Sequence, residues 1–493
     1  MTPATQRIAQ TGISGLDHIL HGGLPAERLY LVEGTPGTGK TTLALRFLLE
    51  GAKQGEAGLY ITLSETIYEL KAAAASHDWT LDELTLFELV GEDEFGSDNE
   101  QTLLHPSEVE LGETVRSIFA QVEAVNPSRV VLDSLSELRL LAQNPLRYRR
   151  QILALKHFFA KRRCTVLMLD DKSSGPSDAH LHSIAHGVIS LEQMASDFGA
   201  ERRRMRIVKL RGLKYRGGYH DYTIEQGGLC IYPRLVAAEH GRAFDGGFVT
   251  TGLPELDALL GGGLVPGTNT LLTGPAGAGK TTTAIRCMLA ALERGEKAAY
   301  YLFDERLGTL LVRSAALGMA LEPFIDSGQL TVRQIDPAEL SPGEFAGAVQ
   351  RAVEDDGATM VVVDSLNAYL HAMPNDKFLM LQMHELLSYL SQQGVTALMI
   401  LGLHGVTGEL RADVDFSYLA DTVMMMRFFE AQGAVHKSVA VIKTRTAEHE
   451  RTIREFCIDG SGITIGQPLT NFTGVLSGQP LLSLSGSDAV GDV

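Results

Sequence analysis

Two stretches, VEGTPGTGKTTLALRFL (Val32–Leu48) and LTGPAGAGKTTTAIRCM (Leu272–Met288), each contain GxxxxGK[ST], at Gly34–Thr41 and Gly274–Thr281. Each follows a short β-rich run and opens a helical one, the context in which this spacing acts as a phosphate-binding loop. The glycines let backbone N–H groups turn inward around phosphate oxygens, and the helix N-terminus adds positive potential. Lys40 and Lys280 are placed to reach the outer phosphates. The first candidate cradle is Gly34, Thr35, Gly37, Thr38, Gly39, Lys40, Thr41 and Thr42; the second is Gly274, Gly277, Ala278, Gly279, Lys280, Thr281 and Thr282. The hydroxyls of Thr41 and Thr281 are candidate Mg²⁺ ligands, so ATP with Mg²⁺ is the expected cofactor pair.

Outward from the loops the similarity continues. TGISGLDHILHGGLPAERLYLVEGTPGTGKTT from Thr11 aligns without a gap on TGLPELDALLGGGLVPGTNTLLTGPAGAGKTT from Thr251, pairing Lys40 with Lys280 at an offset of 240. Further on, RVVLDS and MVVVDS pair Asp133 with Asp364 at an offset of 231. The nine-residue excess of the first half is assigned to the acidic stretch GEDEFGSDNEQ, Gly91–Gln101, read as a solvated loop. A chain of 493 residues exceeds what one hydrophobic core normally serves. Residues 1–240 read as a first domain, 247–470 as a second and 471–493 as a flexible Gly/Ser-rich tail. Continuous apolar runs (LYLVEG, GLYITL, RVVLDS; TLLTG, AAYYLF, TMVVVDS) alternate with helical stretches. That pattern predicts an α/β chain with two mostly parallel sheets covered on both faces.

Composition narrows the function classes. No run approaches the roughly 18 apolar residues of a membrane span, and the N-terminus carries no apolar signal core. The four cysteines, Cys164, Cys230, Cys287 and Cys457, form no CxxC pair, which fits a cytoplasmic setting and excludes a cysteine-rich zinc module. Sixty acidic against 43 basic residues give a net charge of −17, a field that repels nucleic acid.

Three further sets carry candidate chemistry. Asp133 and Asp364 end apolar runs about 90 residues after each loop; each is a Mg²⁺-orienting carboxylate or a helix cap. Glu65 in YITLSET and Glu305 in YYLFDER are in register, with Asp304 beside the latter; each is a base for an attacking water or a cap of the next helix. Lys209 and Arg211 in VKLRG, and Lys443 and Arg445 in IKTRT, place two cations on one strand face. Such a pair is either a solvated edge or a finger reaching a neighbour's phosphates, and it has no obvious partner within its own half.

The TGIxxLDxxLxGGL lead-in, the doubled loop, the K-x-R pairs and the run HERTIREF together resemble the KaiC-type ATPases. The resemblance implies tandem RecA-like P-loop NTPase domains, stacked as two-tiered homohexamers with ATP at subunit boundaries. It implies that Lys209, Arg211, Lys443 and Arg445 act on the neighbour's phosphates. It also implies an ATPase first tier and a second tier with serine/threonine autokinase activity, whose acceptor maps to Ser417 in DFSYLADT, beside Tyr418. Where clock members carry a Glu-Glu pair at the strand end in each half, this sequence has Ser64-Glu65 and Asp304-Glu305, and their basic activator-binding tail has no counterpart. Signalling proteins are expected partners, but no segment names one. Two other classes compete: a DNA-directed ring motor, for which ERRRMRIVKLRGLKYRGG (Glu201–Gly218) would be the basic loop, and a nucleotide-dependent scaffold without kinase activity.

Overall fold

The computed structural model describes residues 7–89, 106–172, 179–195, 199–244, 246–371, 379–405, 416–446, 448–460, 462–476 and 481–482. The chain divides into two compact units, Met1–Arg234 and Leu235–Val493.

In the first unit, β1 (Leu29–Gly34) leads into α1 (Lys40–Lys53), followed by β2 (Gly58–Thr62), β3 (Thr85–Glu88), β4 (Arg129–Asp133) and β5 (Thr165–Asp171). Then come β6 (Gly187–Met194), β7 (Arg202–Leu210), β8 (His220–Glu225) and β9 (Gly228–Tyr232). Their order across the sheet is β9-β8-β7-β6-β1-β5-β4-β2-β3. Pairing is parallel from β6 to β3 and antiparallel from β6 to β9. Every residue of β1, β2 and β4 is buried, which is why these strands read as unbroken apolar runs. Alternation still sorts their side chains. Tyr30, Val32, Tyr60 and Val131 pack with Leu43, Phe47 and Leu48 of α1 on one face. Leu29, Leu31, Leu59 and Ile61 meet Ile118 and Leu155 of two other helices on the opposite face. Each fully buried leucine there contributes about 1.5–3 kcal/mol relative to exposure.

The second unit repeats the plan with β10 (Asn269–Gly274), α2 (Lys280–Glu293), β11 (Ala298–Leu302), β12 (Leu330–Gln334), β13 (Met360–Asp364) and β14 (Thr396–Gly402). It continues through β15 (Thr422–Ala431), β16 (Ala434–Thr444), β17 (Arg454–Asp459) and β18 (Gly462–Pro468). The order β18-β17-β16-β15-β10-β14-β13-β11-β12 is that of the first sheet, strand for strand. In both units one strand, β5 or β14, separates the loop-bearing strand from the Asp-bearing strand. The carboxyl ends of all three therefore open on one edge, where α/β sheets bind ligands.

Leu235 and Ala237 belong to the core of the second unit, so the division falls a few residues before position 240. The start of the tail is packed rather than flexible. Phe472–Thr473 pairs antiparallel with Leu481–Leu482, Phe472 lies against Phe429 at 5.8 Å, and Val475 is buried. The Gly91–Gln101 stretch and the last residues of the tail, 483–493, lie outside the described residues.

Candidate nucleotide sites at the carboxyl edges of the two sheets

The two loops are built alike. Gly39 and Gly279 cap the following helices at φ 84° and 110°, a left-handed conformation that costs a glycine little and other residues more. The helices therefore begin at the lysines, and their free first-turn N–H groups face the loop. Lys40 Nζ donates to the carbonyls of Gly34 (2.9 Å) and Thr35 (3.1 Å). Lys280 Nζ does the same to Gly274 and Pro275, both at 2.8 Å. Thr38 is fixed from two sides, its hydroxyl on Thr35 O and its carbonyl accepting from Tyr222 OH, each at 2.7 Å. Thr42 Oγ1 contacts His77 Nε2 at 3.5 Å, while Ala278 and Thr282 are buried. The lysines differ in one respect. Asp171 Oδ1 lies 2.8 Å from Lys40 Nζ, whereas Lys280 has no carboxylate at that distance among the described residues. Burial lowers the Lys280 ammonium to about 8, against a weaker opposing pull from Asp364.

The strand-end aspartates face the loop threonines. Thr41 Oγ1 donates to Asp133 Oδ2 at 3.3 Å, and Thr281 Oγ1 to Asp364 Oδ2 at 2.8 Å. The same oxygens accept a second hydroxyl, Tyr60 OH at 2.5 Å and Tyr300 OH at 2.7 Å. Burial raises both aspartates above the usual carboxylate range, and these tyrosine and threonine bonds oppose it. Each site thus gathers hard oxygen donors only. Among the described residues no group of three His, Cys, Asp or Glu side chains could hold a metal by itself. This donor set suits Mg²⁺, which takes one or two protein oxygens and fills its shell with phosphate and water. Thr41 with Asp133, and Thr281 with Asp364, are the residues that would hold it.

The strand-end acids sit beside these pairs. Thr62 Oγ1 accepts from Glu65 N (2.9 Å) and donates to Glu65 O (2.7 Å), a local turn that fixes Glu65 at the end of β2. The helix that follows, Ile67–Ala75, is capped by Thr66 in a box with Glu69, so Glu65 is not its cap. Glu65 is raised by burial first and by the charge of Asp133 second. In the second unit Ser365 Oγ donates to Asp304 Oδ2 at 2.5 Å, and Glu305 pairs with Arg313 at 2.9 Å. Burial raises Glu305 and Arg313 opposes it. Lys280, Thr281, Asp304, Glu305, Arg313 and Asp364 line one cavity of about 540 Å³.

The K-x-R cations lie at the opposite ends of the sheets, the lysines next to last in β7 and β16 and the arginines just past them. Contrary to the sequence expectation they do have partners in their own half. Lys209 Nζ donates to His182 O and, at 2.9 Å, to Ala185 O; Arg211 Nη2 donates to Ser183 O at 2.9 Å. Lys443 Nζ donates to Ser417 O (2.9 Å) and Ala420 O (2.8 Å), and Arg445 Nη2 to Tyr418 O (2.9 Å). A β-bulge precedes each lysine, at Val188/Ile189 opposite β7 and Val423/Met424 opposite β16, and re-aims its side chain. Ser417, half-buried, and Tyr418, exposed, sit on the turn these cations hold. The stretch Glu201–Gly218 is not a basic loop. Its first half is β7, paired on both sides, with Arg204 bonded to Glu192 at 2.9 Å and stacked on Tyr219.

Sequence reasoning missed Tyr60, Tyr300, Asp171 and the two bulges. The tyrosines had a signal, since they recur at the loop offset of 240 inside apolar strands where a hydroxyl needs a partner.

The comparisons agree with this architecture. The chain is 27% identical to the circadian clock protein KaiC3 of Synechocystis sp. over 96% of this chain and 94% of that protein. It is 27% identical to the circadian clock oscillator protein KaiC of Picosynechococcus sp. (96% and 92%) and to that of Synechococcus elongatus (96% and 91%). The family model described as "ATPase: KaiC" matches twice, at residues 9–236 and 249–470. With two nine-stranded RecA-like α/β sheets that each carry a complete phosphate-binding loop, the chain belongs to the KaiC family of ATPases.

Proposed function

We propose that this chain is an ATP-hydrolysing, autophosphorylating serine/threonine kinase that works as a two-tiered homohexamer in the cytoplasm. The observation that supports it best is the doubled frame: each unit brings a loop lysine, a threonine–aspartate pair and a strand-end glutamate to one sheet edge. Bound Mg²⁺ would neutralise charge on the transferring phosphate. The chain's own residues do the rest. The loop N–H groups and Lys40 or Lys280 orient the triphosphate, and Thr41–Asp133 or Thr281–Asp364 supply the ion's protein oxygens. Glu65 takes the proton of the attacking water at the first site. At the second site Asp304 or Glu305 takes the hydroxyl proton of Ser417 from an adjacent subunit. Lys209, Arg211, Lys443 and Arg445 approach the neighbour's phosphates, since their own loop lies at the opposite end of their sheet. The relatives named as circadian clock proteins favour a signalling role with protein partners.

Native and intact mass spectrometry of the full chain after incubation with Mg-ATP tests the reading in one experiment. Six subunits and a phosphate on Ser417 that disappears in Lys280→Ala are expected. A monomer at saturating nucleotide, or phosphate on Tyr418 alone, defeats it; a phosphate-free hexamer would mark an ATPase scaffold.

A further inference from the structure

We infer that Asp171 is a built-in competitor of the nucleotide at the first site, holding the Lys40 ammonium until phosphate oxygens displace it and thereby setting the preference between ATP and ADP. The inference rests on reading Gly34–Thr41 as a nucleotide loop. Asp171 is the last residue of β5 and lies in register with Gly34, the first residue of that loop. Its Oδ1 is 2.8 Å from Lys40 Nζ, the atom meant for the outer phosphates. Its neighbour Asp170 is committed elsewhere, to Ser136 Oγ at 3.2 Å and to Arg139. The Asp171 carboxylate, by contrast, bonds to no other side chain than Lys40 among the described residues.

The second site supplies an internal control. The residue in register with Gly274 is Gly402, which has no side chain, and Lys280 keeps the same two carbonyl bonds without a carboxylate. One acidic group therefore separates two otherwise matching ammonium environments. The Asp171 side chain is 44% exposed against 10% for Lys40, so the pair can open toward water without stranding a buried charge on the acid. Once displaced, the carboxylate remains beside the phosphates as a like charge. Its cost rises with the charge of the nucleotide, so ATP is penalised more than ADP.

Equilibrium dialysis of labelled ATP and ADP with Mg²⁺ against the full-length Lys280→Ala chain reads the first site alone. Adding Asp171→Asn should tighten ATP binding by about two- to fivefold and ADP binding by less, and Asp171→Gly should act in the same direction. Unchanged affinity in both variants, or weaker binding, overturns the inference; weaker binding would make Asp171 part of the cradle. If the Lys280→Ala chain itself takes up no ATP, the nucleotide-loop reading fails as well. If it binds ATP and the Asp171 variants do not differ from it, only the competitor role fails.

Discussion

Raising the pH through about 8 should loosen ATP at the second site, because the lysine that must meet the phosphates is buried. Lys280 is only 8% exposed, and burial lowers its ammonium from the usual 10.5 to about 8. In the nucleotide-free chain roughly nine-tenths of Lys280 is charged near pH 7 and roughly one-tenth near pH 9. When only the charged form accepts phosphate, the apparent Kd is the intrinsic value divided by that fraction, so affinity falls by about tenfold over those two units. The stability sign is opposite. A lysine with a depressed folded pKa binds fewer protons folded than unfolded between about 8 and 10.5, so the nucleotide-free fold gains stability as pH rises through that window. Equilibrium dialysis on a Lys40→Ala chain isolates the second site, and Lys280→Arg, which stays charged, should flatten the profile. A Kd that is constant up to about pH 9 in the Lys40→Ala chain would refute the reasoning.

Two further outcomes test the groups beside the phosphates. Glu65→Gln in a Lys280→Ala chain should cut hydrolysis by about 10²–10⁴-fold while leaving ATP affinity within about twofold; a loss of less than about threefold would remove Glu65 from the role of base. Tyr300→Phe deletes a 2.7 Å bond to a buried carboxylate and should destabilise the second unit by about 1.5–3 kcal/mol, measured by chemical unfolding. An unchanged transition would mean that water replaces the hydroxyl.

The sequence made the backbone plan legible because the plan is written in residue type and spacing. Gly39 and Gly279 must adopt positive φ, apolar strands of five or six residues must be buried on both faces, and both occur twice at fixed offsets. Lys40, Thr41, Asp133 and Glu65 could be named for the same reason, since each sits at the end of a strand or the start of a helix. What stayed hidden depends on neighbours far along the chain. Asp171 lies 131 residues from Lys40 and meets it only because β5 is inserted beside β1. The partners of Lys209 and Lys443 are backbone carbonyls, which no side-chain pattern announces. The bulges that aim those lysines leave no mark in composition, because Val208 and Ile442 look like ordinary strand residues.

The duplicated frame keeps its backbone devices and changes its charges, and that contrast bears on how the two sites divide the chemistry. At the first site the acid is paired with the loop lysine, while no cation stands within ion-pair distance of Glu65 among the described residues. At the second site the loop lysine has no such acid, and the strand-end Glu305 is bound to Arg313 instead. The position of Arg313 in the first half is held by Ala73. A carboxylate that accepts hydrogen bonds from a guanidinium is a weaker base, so Glu305 is restrained where Glu65 is not. Under the proposed function, that arrangement would favour hydrolysis at the first site over the second. Arg313→Ala should therefore release Glu305 and push its pKa further up, raising hydrolysis by a Lys40→Ala chain about three- to tenfold. The carboxylate left behind, Glu305, is 23% exposed and still reached by water, so the fold should tolerate the change at a cost of about 1 kcal/mol or less. A fall in turnover with weaker ATP binding would overturn this account, for it would show that Arg313 spends its charge on the phosphates and not on Glu305.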